Sequence, residues 1–203
     1  MAQIDEARRL FDDGIDAYRA GEYEEALEAL AQARKLFAGE SDLNGEAEAL
    51  GSMGAIHTEL EDWEGAQKAL DEAQAICEAT GDRSNQGKVL GNLGMMYARQ
   101  GNEEKAAEAY EKAIAIFQEL GEKGNEKAVV RQMGKLKLKK GRFLDALGDY
   151  QEGLDDEDAS GAQKMARKLF QLLGRTSGAG PGLEEEEDED DDVVDITPEI
   201  HED

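Results

Sequence analysis

The chain has 203 residues and a formal net charge of −25, from 48 Asp and Glu against 23 Lys and Arg. Such a surface disfavours direct binding to nucleic-acid phosphates or to an anionic membrane, so neither is an expected partner. Its one cysteine, Cys77, excludes an intrachain disulfide and fits a reducing compartment, which makes the cytoplasm the expected location. Met1–Arg9 lacks the apolar core of a signal peptide, and no apolar run approaches the length of a membrane span, so a soluble protein is expected. The charge is uneven: residues 183–203 hold thirteen acids and no Lys or Arg, leaving residues 1–182 at −12.

Ala, Glu, Leu, Lys and Arg dominate, and Pro181 and Pro198 lie beyond the last helical pattern, so helix is the expected element. Over residues 4–20, Ile4, Ala7, Leu10, Ala17 and Tyr18 recur at helical spacing, interrupted at Gly14. Gly21 ends that helix in a conformation other residues adopt only at a steric cost. Glu22–Phe37 follows, with Ala26, Leu27, Leu30, Ala33, Leu36 and Phe37 on one face. Ser41 and Asp42 cap a third helix reaching about Leu60, and its partner spans Trp63–Ala79. Gly81-Asp82 turns the chain into Arg83–Gln100 and Glu103–Leu120, and Gly121 into Gly124–Lys140 and Arg142–Leu154. After the acidic turn Asp155–Ser160, a ninth helix is expected at about Ala162–Leu173, with Lys164, Arg167 and Lys168 on its solvent side. Thr176–Gly182 reads as a flexible linker, and Glu184–Asp192 as a self-repelling, disordered run.

These helices fall on one grid. Gly14, Gly54, Gly94, Gly134 and Gly174 are each 40 residues apart. Gly21, Gly101 and Gly141 keep the same step, with Glu61 in the missing place, and Gly81, Gly121 and Gly161 form a third set. The expected architecture is all-α, with four helix–turn–helix units at about residues 2–40, 41–80, 81–120 and 121–155. A C-terminal capping helix at 158–175, a linker at 176–182 and an acidic tail at 183–203 complete it.

Leu93-Gly94-x-x-Tyr97, with Ala106 and Tyr110 further on, resembles the tetratricopeptide repeat. Gly94 would let the first helix approach its partner, Tyr97 fill the space beside it, and Ala106 sit at the crossing. Gly14 with Ala26, Leu30 and Ala33, Gly54 with Ala66, Leu70 and Ala73, and Gly134 with Ala146 and Tyr150 match in part. His57 and Lys137 stand where the aromatic is expected, and the closing proline is missing. The period is 40 rather than the commoner length of about 34. Gly91-Asn92-Leu93-Gly94 and the turn Gly81-Asp82-Arg83 are similar to the long repeats of Pins-type polarity adaptors and kinesin light chains. The resemblance implies an α-solenoid of tetratricopeptide type that serves as a protein-binding adaptor or scaffold.

It also implies that the first helices line a concave groove. Leu90, Leu93, Gly94 and Tyr97 form the stripe expected to pack inward, and a second stripe lies about 200° around the helix. That second stripe gives the candidate peptide-binding residues. They are Phe11, Ile15 and Tyr18 as an apolar anchor, Ser52, then Lys88, Asn92, Met95 and Arg99, then Arg131, Gln132, Lys135 and Lys139. Across the four units the stripe holds seven bases (with Arg8 and Arg19) and three acids, Asp12, Glu48 and Glu59. A net positive groove in so acidic a chain points to an acidic peptide segment of a partner protein. The plainer reading is that these bases are the solvated face of helices rich in Glu. A clamp for a terminal carboxylate is largely absent, because Phe11, Ile15 and Ser52 replace its polar residues and Asn92 its arginine, leaving Lys88.

The tail admits several roles: a tethered acidic ligand that gates the groove, a solubilising extension, or a docking segment for basic proteins. The last would make the protein a chaperone or assembly factor. No phosphate loop, triad or acid pair at catalytic spacing is present, and His57 and His201 do not make a metal site. The expectation is therefore a monomer without enzymatic activity or cofactor. Cys77 reads as a small buried residue and Trp63 as the cover of a core edge.

Overall fold

The computed structural model of the chain describes residues 2–139, which form seven α-helices and, among themselves, no strand. In order these are α1 (Ala2–Arg19), α2 (Tyr23–Gly39), α3 (Leu43–Glu59), α4 (Trp63–Thr80), α5 (Arg83–Arg99), α6 (Glu103–Leu120) and α7 (Lys123–Lys139). The expected helices at Arg142–Leu154 and Ala162–Leu173, the linker and the acidic tail lie outside the described residues. The chain divides between Glu126 and Lys127 into two units. The first carries α1–α6 and the opening turn of α7, and the second carries the rest of α7.

The turns explain the regularity. Gly21, Ser41, Glu61, Gly81, Gly101 and Gly121, one every 20 residues, all have positive φ, between 56° and 79°. A left-handed residue there reverses the chain after each helix. Glycine adopts it freely; Ser41 and Glu61 adopt it although an L side chain costs about 1 kcal/mol there. The next residue caps the following helix. Asp42, Asp62, Asp82 and Asn102 accept the backbone N–H of Gly45, Gly65, Asn85 and Lys105 at 3.0–3.3 Å.

Within each pair the first helix presents a glycine to its partner. A Cβ on Gly14 would lie 2.8 Å from Leu30 Cγ, one on Gly54 2.6 Å from Leu70 Cγ, and one on Gly94 2.5 Å from the Tyr110 ring. Gly14 therefore does not interrupt α1, which runs unbroken through it because the missing side chain is replaced by Leu30. Ala26, Ala66 and Ala106, fully buried, are the small residues on the second helices.

Two apolar clusters hold the first unit together. One gathers Phe11, Ile15 and Tyr18 of α1 with Leu30 and Phe37 of α2 and Ala49 and Ile56 of α3. The other gathers Leu50 of α3, Leu70 and Cys77 of α4, and Val89, Leu93 and Met96 of α5, with Trp63 and Tyr97 at its margin. Thus α2 and α4 each pack on their own first helix and on the next one, and α6 packs on α5. The backbones of α1 and α3, and of α3 and α5, also come into contact, whereas those of α2, α4 and α6 do not. First helices crowded together and second helices spread apart put the first helices on the inner side of the curve.

Substituting Gly94→Ala drives a methyl into the Tyr110 ring, which is buried. Overpacking of this kind costs about 1–3 kcal/mol, more than the helix propensity gained. Urea denaturation followed by circular dichroism should show a lowered midpoint at unchanged native helicity.

Candidate functional site

The inner face of α1, α3 and α5 is narrower than a helical wheel suggests. A first helix is flanked by its own partner, by the preceding second helix and by neighbouring first helices. In α3 this buries Gly45, Ala47, Ala49, Leu50, Gly51, Gly54, Ala55, Ile56 and Thr58, leaving a thin polar strip. The sequence-derived stripe falls partly on that strip and partly on the flanks.

Phe11, Ile15 and Tyr18 fall on a flank. They are 7%, 4% and 4% exposed and belong to the apolar cluster against α2 and α3 rather than to an open surface. Met95 and Asn92 are likewise buried. Asn92 donates through Nδ2 to the carbonyl of Gly51 at 3.0 Å, a bond from α5 to α3 across the inner face. Ser52 is half-buried and donates to the carbonyl of Glu48 one turn back, at 3.1 Å.

The charged members of the strip are matched across helices at the repeat distance. Glu48 lies between Arg8 and Lys88, accepting from Arg8 Nη1 and from Lys88 Nζ at 3.1 Å each. Arg8 also reaches Asp42 at 3.3 Å and lies over the Phe37 ring. At the other end Arg99 donates to Glu59. Arg19 pairs with Asp16 on its own helix at 3.3 Å. Asp12, on the same strip, has its carboxyl pushed up from the usual range by burial; Asp16, Asp13 and Glu48 push the same way, against Arg8. Glu48 and Glu59 were not among the candidate residues, although the sequence carries the signal. Opposite charges at positions 8, 48 and 88, and at 59 and 99, keep the 40-residue step of the glycines.

In the second unit, α7 has a different balance. From Lys127 to Lys139 it carries five bases (Lys127, Arg131, Lys135, Lys137, Lys139) and no acid. Lys127, Arg131, Lys135 and Lys139 are spaced four apart, along one side of the helix. Val129, Val130, Met133 and Leu136 are buried, Arg131 and Gln132 are partly exposed, and Lys135 is exposed. The side chain of Lys139 lies outside the described residues.

Other singular residues have structural places. His57 is half-buried, with Nδ1 2.9 Å from Oδ2 of Asp62, the residue that caps α4. Trp63 packs at the margin of the second cluster. Among the described residues, no group of three or more His, Cys, Asp or Glu is placed to hold a metal ion. No helix among them is long and apolar enough to cross a membrane.

The tetratricopeptide repeat family model matches residues 45–119 and 85–156, more than half of the chain. The chain belongs to the tetratricopeptide repeat family. No curated protein matches it at a significant level. Among solved structures it is similar to the TPR-like repeats of a chain described as a putative kinesin light chain from Podosopora anserina. That likeness is 17% identical with a TM-score of 0.55, covering 88% of this chain and 96% of that one. It is also similar to BtubC (BKLC) from P. vanneervenii, at 19% identity and a TM-score of 0.52. There the match covers 87% of this chain and 66% of the other, so the chain spans less than two thirds of BtubC's length. These likenesses establish the fold: an all-α tetratricopeptide solenoid. Repeats of this kind are in general non-catalytic scaffolds, and the fold implies a protein partner.

Cys77 is buried among Leu50, Leu70, Ala73 and Val89 in the second cluster. Burial, with the Asp82 carboxylate adding to it, pushes its thiol up to about 11. At pH 8 iodoacetamide should modify it at least about a hundred-fold more slowly than a free cysteine. Mass spectrometry should show labelling only as urea unfolds the chain; labelling of the native protein at the free rate would contradict this placement.

Proposed function

We propose that the protein is a non-catalytic adaptor that holds a peptide segment of a partner protein against its first helices, and that the segment is acidic where it meets α7. The observation carrying this reading is the charge contrast between α7 and the rest. Five bases without an acid stand together in a chain of net charge −25. A run of charge of one sign attracts the opposite sign and orients it, while apolar and backbone contacts supply most of the affinity. Of the candidate residues, Arg131, Gln132, Lys135 and Lys139 serve the acidic part of the ligand. Ser52, Lys88, Asn92 and Arg99 line the inner strip of the first unit. Phe11, Ile15, Tyr18 and Met95 support that strip from behind.

The tail favours a second reading through its thirteen acids and complete lack of Lys and Arg. A run such as Glu184–Asp192 is itself an acidic segment, tethered to the chain, and competes with an outside ligand at high effective concentration. It would equally serve as a dock for basic proteins, which would make the protein an assembly factor or chaperone.

Charge reversal at Arg131→Glu and Lys135→Glu should weaken capture of an acidic peptide at least about ten-fold, since both attraction is lost and repulsion added. Fluorescence anisotropy with a labelled acidic peptide reads this directly, and unchanged affinity would favour the plainer solvated-face reading. Repeating the capture with residues 183–203 deleted separates the tail's roles. Tighter acidic-peptide binding indicates gating, and loss of bound basic proteins indicates docking.

A further inference from the structure

The first unit's inner strip carries cations that an acidic ligand would be expected to seek, yet Arg8, Lys88 and Arg99 are each already held by an acid of a neighbouring first helix. Glu48 is the middle rung of a ladder, Arg8–Glu48–Lys88, that crosses α1, α3 and α5, and Glu59 holds Arg99 from α3. Glu48, Lys88 and Glu59 are sheltered, whereas Arg8 and Arg99 are exposed. Side-chain exposure is 19% at Glu48, 15% at Lys88 and 10% at Glu59, against 37% at Arg99. On this strip α3 contributes only acids, and α5 only bases.

We propose that Glu48 and Glu59 are specificity-determining residues: they withhold Lys88 and Arg99 from carboxylate-rich ligands, so that the strip formed by α1, α3 and α5 accepts an uncharged stretch of a partner chain. The proposal rests on the reading that the inner face is the binding face. Its physical basis is competition. A ligand carboxylate reaching Lys88 must displace one already fixed on the adjacent helix, and it meets the repulsion of that displaced group in a partly desolvated place. An uncharged segment meets no such barrier. Between the two rungs Ser52, half-buried and small, is the residue a peptide backbone can approach.

The test uses the full chain and a fluorescein-labelled nonapeptide copying residues Glu184–Asp192. Glu48→Gln with Glu59→Gln keeps the shape and removes both negative charges. The double variant should bind the probe about ten-fold more tightly than the native chain, from two freed and partly exposed cations, with a steeper salt dependence. Carbodiimide cross-linking should then join Lys88 to a carboxylate of the probe or of the chain's own residues 184–192. Should the chain's own tail compete for the freed cations, the cross-link replaces the gain in affinity, so either result supports the proposal; the absence of both in a folded double variant overturns it.

A second pair keeps the test decisive should the double variant fail to fold. Lys88→Gln with Arg99→Gln in the native background should leave probe affinity within about two-fold, because withheld cations contribute nothing. A larger loss of affinity overturns the proposal. Failure of the broader reading looks different: reversal of Arg131 and Lys135 then leaves probe affinity unchanged, whatever Glu48 and Glu59 do.

Discussion

In each pair the closest approach is between a first-helix backbone and a second-helix side chain. Leu30 sits on Gly14, Leu70 on Gly54 and the Tyr110 ring on Gly94, where even a methyl group would clash. This contact fixes how near the two helices of a pair lie. The left-handed turn residues, one every 20 positions, fix their lengths. Together they force the units into strict register, and everything lateral follows from that register. Residues 40 apart on successive first helices face one another, which is why Glu48 meets Arg8 on one side and Lys88 on the other.

The relative sizes of the two kinds of contact separate their roles. Phe37, Leu30, Ile56, Leu70 and Met96 are fully buried, and each such side chain contributes about 1.5–3 kcal/mol. A partly exposed ion pair contributes roughly 0–1 kcal/mol. The clusters therefore hold the solenoid together, and the ladder on the inner strip does little for stability. Its effect is on the charge of the surface, which it reduces along α1, α3 and α5. The proposed preference for an acidic segment depends on the bases of α7, where five stand between Lys127 and Lys139 with no acid among them.

The repeat and the helices it prescribes were legible in the sequence because the glycine grid is a direct image of the close contacts. The ends of the seven described helices agree with expectation to within a residue or two, and Glu61, the odd member of its turn set, takes the left-handed conformation that Gly21 and Gly101 take. The inner face was legible only in part. A helical wheel assigns one inward and one open stripe, and a first helix in a stack is packed on more than one flank, which is why Phe11, Ile15 and Tyr18 are core residues. Lys88 and Arg99 were visible as bases, but their partners on α3 become evident only when residues 40 apart are compared for charge as well as for size. Asn92 illustrates the remaining difficulty. Its bond to the Gly51 carbonyl depends on how closely α3 and α5 approach, and no pattern in the sequence states that distance.

A titration of the isotope-labelled full chain with an acidic peptide, followed in 15N–1H correlation spectra, tests the central claim most directly. The account predicts that perturbed amides concentrate on α7 between Lys127 and Lys139, while those of α2, α4 and α6 stay in place. Perturbation centred on α2, α4 or α6 would place the binding face on the outer helices and contradict it.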